Sequence, residues 1–125
     1  MPHILVDHDA SLREALDHRR FAHALHALAA ETVDGITIES CKTRFRCVDE
    51  VVIAHDEPQQ ALIHVDFALL PGRSTDTKTR LAEAVLELVR ARTAAATDRT
   101  VHASVEVRDL DAAYVKHVRP AAAAR

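Results

Sequence analysis

The amino-terminal pair Met1-Pro2 is the first place in this sequence that could do chemistry. The initiator Met is usually removed when the next residue is small, and its removal would leave Pro2 with a free secondary amine. An α-amino group has an unperturbed pKa of about 7.7–8.0, which burial or a nearby cation lowers. Such a base can take a proton from an enol or an acidic carbon. The alternative is an ordinary proline without a chemical role.

Two groups of cations could bind an anionic substrate. Arg73 lies in a predicted turn after a strand, where its guanidinium could hold a carboxylate through two hydrogen bonds. A solvated arginine beside a helix is the competing interpretation. Lys42, Arg44 and Arg46 alternate along a predicted strand and so share one face. That row suits a dianionic substrate, but it equally suits a charged edge strand that prevents aggregation. Arg44 is the better binding candidate because it has the bidentate fork.

A metal site is not favoured, although the chain contains nine histidines. His18, His23 and His26 fall on a predicted helix, but no His-Glu-x-x-His motif is present. A solvated, histidine-rich helix face is the better interpretation. Cys41 and Cys47 lack zinc-ligand spacing and are expected to be free thiols.

Composition excludes several classes of function. The 125 residues suffice for one domain with one core. A net charge of −3 and an aromatic content of 3% argue against a nucleic-acid-binding surface. Two glycines cannot build a G-x-G-x-x-G dinucleotide-binding motif or a P-loop. No apolar run reaches membrane-spanning length and no secretory signal is visible, so we expect a cytoplasmic protein.

The first half of the chain predicts a β-α-β unit. Residues 3–7 form a short apolar strand, and Ser11 with Glu14 resembles a capping box that starts a helix near Leu12. This helix should end before Asp34-Gly35. Residues 36–48 alternate loosely and predict one or two strands. Residues 51–53 form a short apolar run before a turn at residues 55–58.

The second half predicts the same order. Residues 61–70 form the clearest strand, with alternate side chains on opposite faces. Ser74 or Thr75 caps a helix that fades over residues 92–97. Residues 100–107 form the last strand, and residues 120–125 form a loose tail. The chain is thus one domain with two β-α-β halves, about 1–58 and 59–119.

The predicted fold class is α+β, a four-stranded mixed sheet with two helices on one face. The other face would carry His64, Asp66, His102 and Ser104 among apolar neighbours. That surface is too mixed for a core and too large to leave exposed without cost, so we expect the protein to oligomerise.

Four segments together resemble the tautomerase superfamily, and within it the 5-carboxymethyl-2-hydroxymuconate Δ-isomerase family. Each segment alone is a weak signal, but the four extend over nearly the whole chain. They are Met1-Pro2-His3, Lys42-Thr43-Arg44 before Val48-Asp49, Ile63-His64-Val65 leading to Pro71-Gly72-Arg73-Ser74, and the end from Val105-Glu106-Val107 through Asp109-Leu110-Asp111 to Tyr114 and Lys116.

The resemblance implies a tautomerase-like β-α-β repeat, a homotrimer, no cofactor, and a role in the catabolism of aromatic compounds. It implies Pro2 as general base and Arg73 as the second catalytic residue, with Lys42 and Arg44 binding substrate. The family usually has Arg where Lys42 stands, and Lys keeps the charge without the bidentate fork.

Three functions remain open from the sequence. The first is a cofactor-free isomerase acting on an unsaturated dicarboxylate such as 5-carboxymethyl-2-hydroxymuconate. The second keeps the fold but acts on a phenylpyruvate-type enol or a haloacrylate. The third is a non-catalytic trimeric binding or scaffold protein, whose pocket could be closed by Phe45 or whose Pro2 could be blocked by Met1.

Overall fold

A computed structural model describes residues 1–56 and 58–123 of the chain. Four strands form one mixed sheet in the order β2-β1-β3-β4. The strands are β1 (His3–Asp9), β2 (Lys42–Val48), β3 (Gln60–Leu69) and β4 (Thr100–Asp109). The helices are α1 (Arg13–Leu16), α2 (His18–Thr32) and α3 (Thr75–Thr93), with 3-10 turns at Ala10–Leu12 and Ile38–Ser40.

The two predicted β-α-β halves are present in the fold. β1 pairs with β2 in parallel, and β3 pairs with β4 in parallel. The halves join through the antiparallel pair of β1 and β3, in which His3 lies opposite Ala68 and Asp7 lies opposite His64. The start of β1 therefore lies at the same end of the sheet as the start of β2 and the carboxyl ends of β3 and β4.

Period-two alternation divides the sheet into two faces. Every second side chain of β1 and β3 points toward the helices and is buried beneath them. Ile4, Val6, Val65 and Phe67 of this set are 0% exposed. The helices contribute Phe21, Leu25, Leu81, Val85 and Val89 to this core, all at helical spacing. The opposite face, which we call the open face, carries His3, Leu5, Asp7, Lys42, Arg44, Arg46, Leu62, His64, Asp66, Ala68, His102, Ser104, Glu106 and Arg108.

The first helix begins near Leu12, as predicted, but its cap differs from the prediction. Ser11 is not the N-cap of a capping box: it lies inside the first 3-10 turn, and the carboxylate of Asp9 accepts from its backbone N–H. The helix is also broken at Asp17, which has a left-handed backbone with φ of 50°. This break separates α1 from α2, and it arises because Asp tolerates that conformation better than most residues.

One strand prediction, over residues 36–48, is partly wrong in its bounds. Only the second part of residues 36–48 is extended, because Ile38–Ser40 form a 3-10 turn before β2. The apolar run at residues 51–53 lies in the loop between β2 and β3, since a short apolar run carries no pairing information of its own. Glu57, part of the predicted turn, lies outside the described residues, as do residues 124 and 125 of the predicted loose tail.

The second helix that the sequence predicts is α3 in the structure, and it agrees with its prediction. Ser74 is the N-cap of α3, and its hydroxyl accepts from the backbone N–H of Thr77 at 3.1 Å. Both cysteines are free thiols, Cys41 buried and Cys47 exposed. Within residues 1–56 and 58–123, no helix is long and apolar enough to cross a membrane.

Candidate active site at the amino-terminal end of the sheet

The amino terminus is fixed by its neighbours in the sheet. Pro2 is buried, and its carbonyl accepts from the backbone N–H of Lys42 at 3.2 Å. Because β3 runs antiparallel to β1, the loop after β3 returns to this same end and carries Arg73 with it. The parallel pairing of β1 and β2 places Lys42 beside His3. Three of the four predicted site residues, Pro2, Lys42 and Arg73, are thus brought to one end of the sheet.

The electrostatic environment favours the uncharged form of the terminal amine. Burial is the largest cause that lowers the pKa of the Met1 amino group below its ordinary value. The positive charges of Lys116, Lys42 and Arg73 lower the pKa further, and Cys41 acts weakly in the opposite direction. A lowered pKa leaves more of the amine unprotonated at a given pH, and an unprotonated amine can accept a proton from a substrate, as general base catalysis requires.

Arg73 is half-buried in the loop between β3 and α3. Its guanidinium donates to the carbonyl of Leu70 at 3.3 Å and to the carbonyl of Asp34 at 3.4 Å. It also lines a cavity of about 390 Å³ between the end of α2 and the start of α3. Gly35, which has a left-handed φ of 87°, passes close to the guanidinium in the facing turn. Both hydrogen bonds are long and go to neutral carbonyls, so the guanidinium keeps donor capacity for an anion.

Lys42 and Arg44 lie on the open face and project from the edge strand β2. The Lys42 ammonium donates to the carbonyl of Ser40 at 3.1 Å and lies 3.5 Å from the sulfur of Met1. Arg44 is exposed and lies next to Leu5 in register. Its charge acts on His3, whose pKa is lowered first by burial and then by Lys42 and Arg44. Arg44 lies two residues further along β2 from the amino-terminal end of the sheet than Lys42.

The carboxyl-terminal segment adds residues to this end that the sequence interpretation did not assign to the site. The Tyr114 hydroxyl and His3 Nε2 lie 2.8 Å apart, and their rings pack edge to face at 5.5 Å. Lys116 follows closely and acts on the amino terminus. The tail motif that carried the family resemblance contained both residues, but without the fold nothing placed them beside the first strand.

The histidines of α2 are mostly not the solvated face that the sequence suggests. His18 stacks on Phe45 at 4.0 Å, and its Nε2 lies 2.8 Å from that of the buried His8. His26 bonds the hydroxyl of Thr43 at 2.8 Å, and only His23 is exposed. Among the described residues, no three His, Cys, Asp or Glu side chains are grouped so that they could hold a metal ion.

Phe45 lies on the opposite face of β2 from the predicted row of cations, as strand alternation requires. It faces the helices, where it packs against His18 and Phe21, and not the open face of the sheet. It therefore does not cover the cations Lys42 and Arg44, which leave the same strand on the other side.

Comparison with known proteins supports this fold. A structure of a 5-carboxymethyl-2-hydroxymuconate isomerase from Deinococcus radiodurans R1 matches with a TM-score of 0.83 and 20% identity, over 94% of this chain and 90% of the other. A 5-carboxymethyl-2-hydroxymuconate delta-isomerase matches with a TM-score of 0.82 and 16% identity, over 95% and 89%. A structure described as a fused 4-OT wild type symmetric trimer matches with a TM-score of 0.63 and 21% identity, over 86% and 85%. A search of curated proteins found no match to the sequence.

The sheet order, the two parallel β-α-β halves and these neighbours define a tautomerase-like fold. The family model for 5-carboxymethyl-2-hydroxymuconate isomerase matches residues 2–120. The chain belongs to the 5-carboxymethyl-2-hydroxymuconate isomerase family and is an isomerase.

Proposed function

We propose that this isomerase transfers a proton within an unsaturated, carboxylated enol such as 5-carboxymethyl-2-hydroxymuconate, with Pro2 as the general base. Removal of Met1 converts the Pro2 nitrogen from an amide, which is not basic, into a secondary amine. That amine takes the proton of the 2-hydroxy group and returns a proton to a carbon of the conjugated system. No cofactor takes part in this step.

Arg73 and Lys42 supply the charge that this step needs. Loss of the enol proton leaves a dienolate, and cations fixed beside it stabilise the negative charge as it develops. The family's substrate carries a carboxymethyl group besides the two carboxylates of muconate. It is therefore a tricarboxylate and not the dicarboxylate expected from the sequence, and three anionic groups require partners. Arg73 is proposed as the second catalytic residue, while Lys42 and Arg44 bind carboxylates of the substrate.

The observation that carries the proposal is the convergence of Lys42, Arg73 and Lys116 on a partly buried amino terminus. Cations are costly to place together unless an anion is bound among them, since like charges repel. These three charges are far apart in sequence but lie at the same end of the sheet. Lys42 starts β2, Arg73 lies in the loop between β3 and α3, and Lys116 lies in the segment after β4.

A different enol substrate has one observation in its favour. Lys42 stands where the family usually has Arg, and its ammonium is already hydrogen-bonded to the Ser40 carbonyl. A single ammonium lacks the fork that recognises a carboxylate through two parallel bonds. A phenylpyruvate-type enol or a haloacrylate, with fewer carboxylates, is therefore the second candidate class of substrate.

We also propose that the chain is one domain and that it assembles as a homotrimer. The open face carries Leu5 and Leu62, and a carboxylate oxygen of Asp7 is buried there without a hydrogen-bond partner among the described residues. A buried acceptor without a donor costs free energy. A neighbouring subunit could cover these groups, and the trimeric structural neighbour has the same fold.

The experiment compares three preparations by ultraviolet absorbance of a 2-hydroxymuconate-type dienol. The first is protein whose intact mass shows that Met1 has been removed, the second retains Met1, and the third is Pro2→Ala. The proposal expects turnover by the first and none by the second, because only the first has a free prolyl amine. Equal turnover by the first two, or no turnover of any dienol by either, contradicts the proposal.

A further inference from the structure

The chain after β4 turns back across the sheet. The backbone N–H of Leu110 donates to the carbonyl of Leu69 at 2.6 Å, which holds the start of the tail against the end of β3. A turn follows, in which the Asp111 carboxylate accepts from the backbone N–H of Ala113 at 2.7 Å and its carbonyl accepts from that of Tyr114 at 3.0 Å. The tail thus has a defined local structure.

The tail reaches β1, which lies beyond β3 in the sheet. β4 and β1 lie on opposite sides of β3 in the sheet, yet Tyr114 bonds His3 of β1. His3 points to the open face, so residues 110–114 pass over the end of β3 on that face. In agreement, Ala68 is 2% exposed although it lies on the open face between His3 and Arg108 in register.

We propose that residues 110–116 form a wall of the amino-terminal site, fixed by the Tyr114–His3 hydrogen bond, and that Lys116, two residues beyond this bond, is a positioning residue for the Pro2 amine. This inference rests on the proposed role of Pro2. Lys116 acts through the amine and does not contact the reacting atoms.

The charges around the amine favour this role. Burial lowers the pKa of the amino terminus most, and Lys116 is the first of the three cations that lower it further, ahead of Lys42 and Arg73, while Cys41 raises it. Removal of Met1 moves the free amine by one residue, about 3.8 Å between successive Cα atoms. The Pro2 carbonyl is already bonded to the backbone of Lys42, so the amine stays at the same end of the sheet.

The sign of the effect follows from repulsion between like charges. A cation beside an amine disfavours the protonated form, so removal of the Lys116 charge must raise the pKa of the amine. Less of the amine is then free base at acidic pH, whereas at alkaline pH all of it is free base in both proteins. The loss of kcat/KM should therefore be confined to the acidic side of the pH profile.

The test compares the pH dependence of kcat/KM for the Met1-cleaved protein and four variants. Lys116→Gln should lower kcat/KM at about pH 6 by roughly two- to tenfold and leave the alkaline plateau unchanged. Lys116→Arg should restore the acidic limb. Tyr114→Phe, which loses the bond to His3, should shift the profile in the same direction by less. Arg119→Gln, an exposed tail cation, is the matched control and should change nothing.

A second measurement separates this inference from the role of Pro2 itself. Titration of the Pro2 nitrogen by NMR, in protein labelled with nitrogen-15 proline, reports the amine without any turnover. An amine that titrates at higher pH in Lys116→Gln than in the parent supports the inference. A titration of the Pro2 nitrogen that is unchanged in Lys116→Gln overturns the inference. A lower alkaline plateau of kcat/KM in Lys116→Gln, with the acidic limb at the same pH, also overturns it, because Lys116 would then contact the substrate. If Pro2→Ala keeps full activity and the same profile, the role of Pro2 as base is what has failed.

Discussion

The Nε2 atoms of His8 and His18 lie 2.8 Å apart and join the buried side of β1 to the first turn of α2. His8 Nδ1 lies 2.7 Å from the carbonyl oxygen of Asp9, which can only accept, so Nδ1 carries the hydrogen. Neutral His8 therefore presents Nε2 as an acceptor, and His18 donates to it. If both rings were protonated, both Nε2 atoms would carry a hydrogen, and neither could accept a hydrogen bond from the other.

This pair predicts acid sensitivity of the fold. Burial lowers the pKa of His18 below its ordinary value, and the nearby His8 and Arg13 lower it further, against an opposing effect of Asp17. The unfolded chain, with a histidine pKa of about 6.5, then binds a proton at higher pH than the folded chain. Stability should be fully present above that pH and fall as the pH is lowered through it. The measurement is the urea midpoint at pH 7.5 and at pH 5.5.

A His18→Gln variant isolates the contribution of this pair, because glutamine can donate to His8 but does not titrate. Its loss of stability between pH 7.5 and 5.5 should be smaller than that of the parent. His26, whose pKa is also lowered by burial, remains and keeps part of the slope. His55→Gln, at an exposed loop position, should retain the parent's slope. Equal slopes in all three proteins would refute the prediction.

Asp9 predicts a second stability effect. One carboxylate oxygen accepts from the backbone N–H of Ser11 at 3.0 Å, and the other accepts from that of Leu62 in β3 at 2.8 Å. Asp9→Ala leaves both donors without a partner and should cost about 1–3 kcal/mol in the free energy of unfolding. Asp9→Asn keeps one acceptor and should cost less. Urea denaturation would show the order, and an Asn variant as unstable as the Ala variant would contradict it.

Substitution of Arg73 should affect turnover more than stability. Loss of a charge-assisted contact to a carboxylate costs about 1.5–3 kcal/mol, so Arg73→Ala should lower kcat/KM for a carboxylated dienol by roughly ten- to a hundredfold. Arg44→Ala should have a smaller effect on a monocarboxylate. Arg90→Ala is the matched control, since its pair with Glu87 is exposed and contributes little. If the three substitutions had equal, small effects, neither Arg73 nor Arg44 would contact substrate.

The open face predicts a trimer in solution. Sedimentation equilibrium should give three times the 13.8 kDa mass of one subunit. Leu5→Glu places a charge on the half-buried open face and should favour monomers. Val52→Glu, at an exposed loop position, serves as the control and should stay trimeric. A parent protein that sediments as a monomer would contradict the proposed assembly.

Much of the fold could be predicted because alternation and helical spacing report burial directly. The strand β3 and the Ser74-capped helix α3 agree closely with their patterns. The cap of the first helix could not be predicted, although its start near Leu12 was. Ser11 and Glu14 meet the capping-box pattern, but it is the Asp9 carboxylate that accepts from the backbone N–H of Ser11 and from that of Leu62 in β3. The bond from Leu62 is a tertiary contact, which local sequence does not encode.

The candidate site was only partly visible in the sequence for the same reason. Pro2, Lys42, Arg44 and Arg73 lie in motifs that the family resemblance identifies. The role of His18 was misread because helical periodicity places it on a face without saying what that face contacts. Tyr114 and Lys116 come near the first strand because the carboxyl-terminal segment crosses the sheet. The hydrogen bond between His3 and Tyr114, which are 111 positions apart, follows only from the topology.

The most direct test of the account is the pH–rate profile of the Met1-cleaved protein beside that of Pro2→Ala. Burial and the cations Lys116, Lys42 and Arg73 lower the pKa of the terminal amine. The account therefore predicts that kcat/KM rises through a single ionisation below the α-amino reference of about 7.7–8.0 and then levels off. It also predicts that Pro2→Ala loses activity or moves that ionisation. A profile that is flat from about pH 5 to 9, or that is the same in both proteins, would contradict Pro2 as the base.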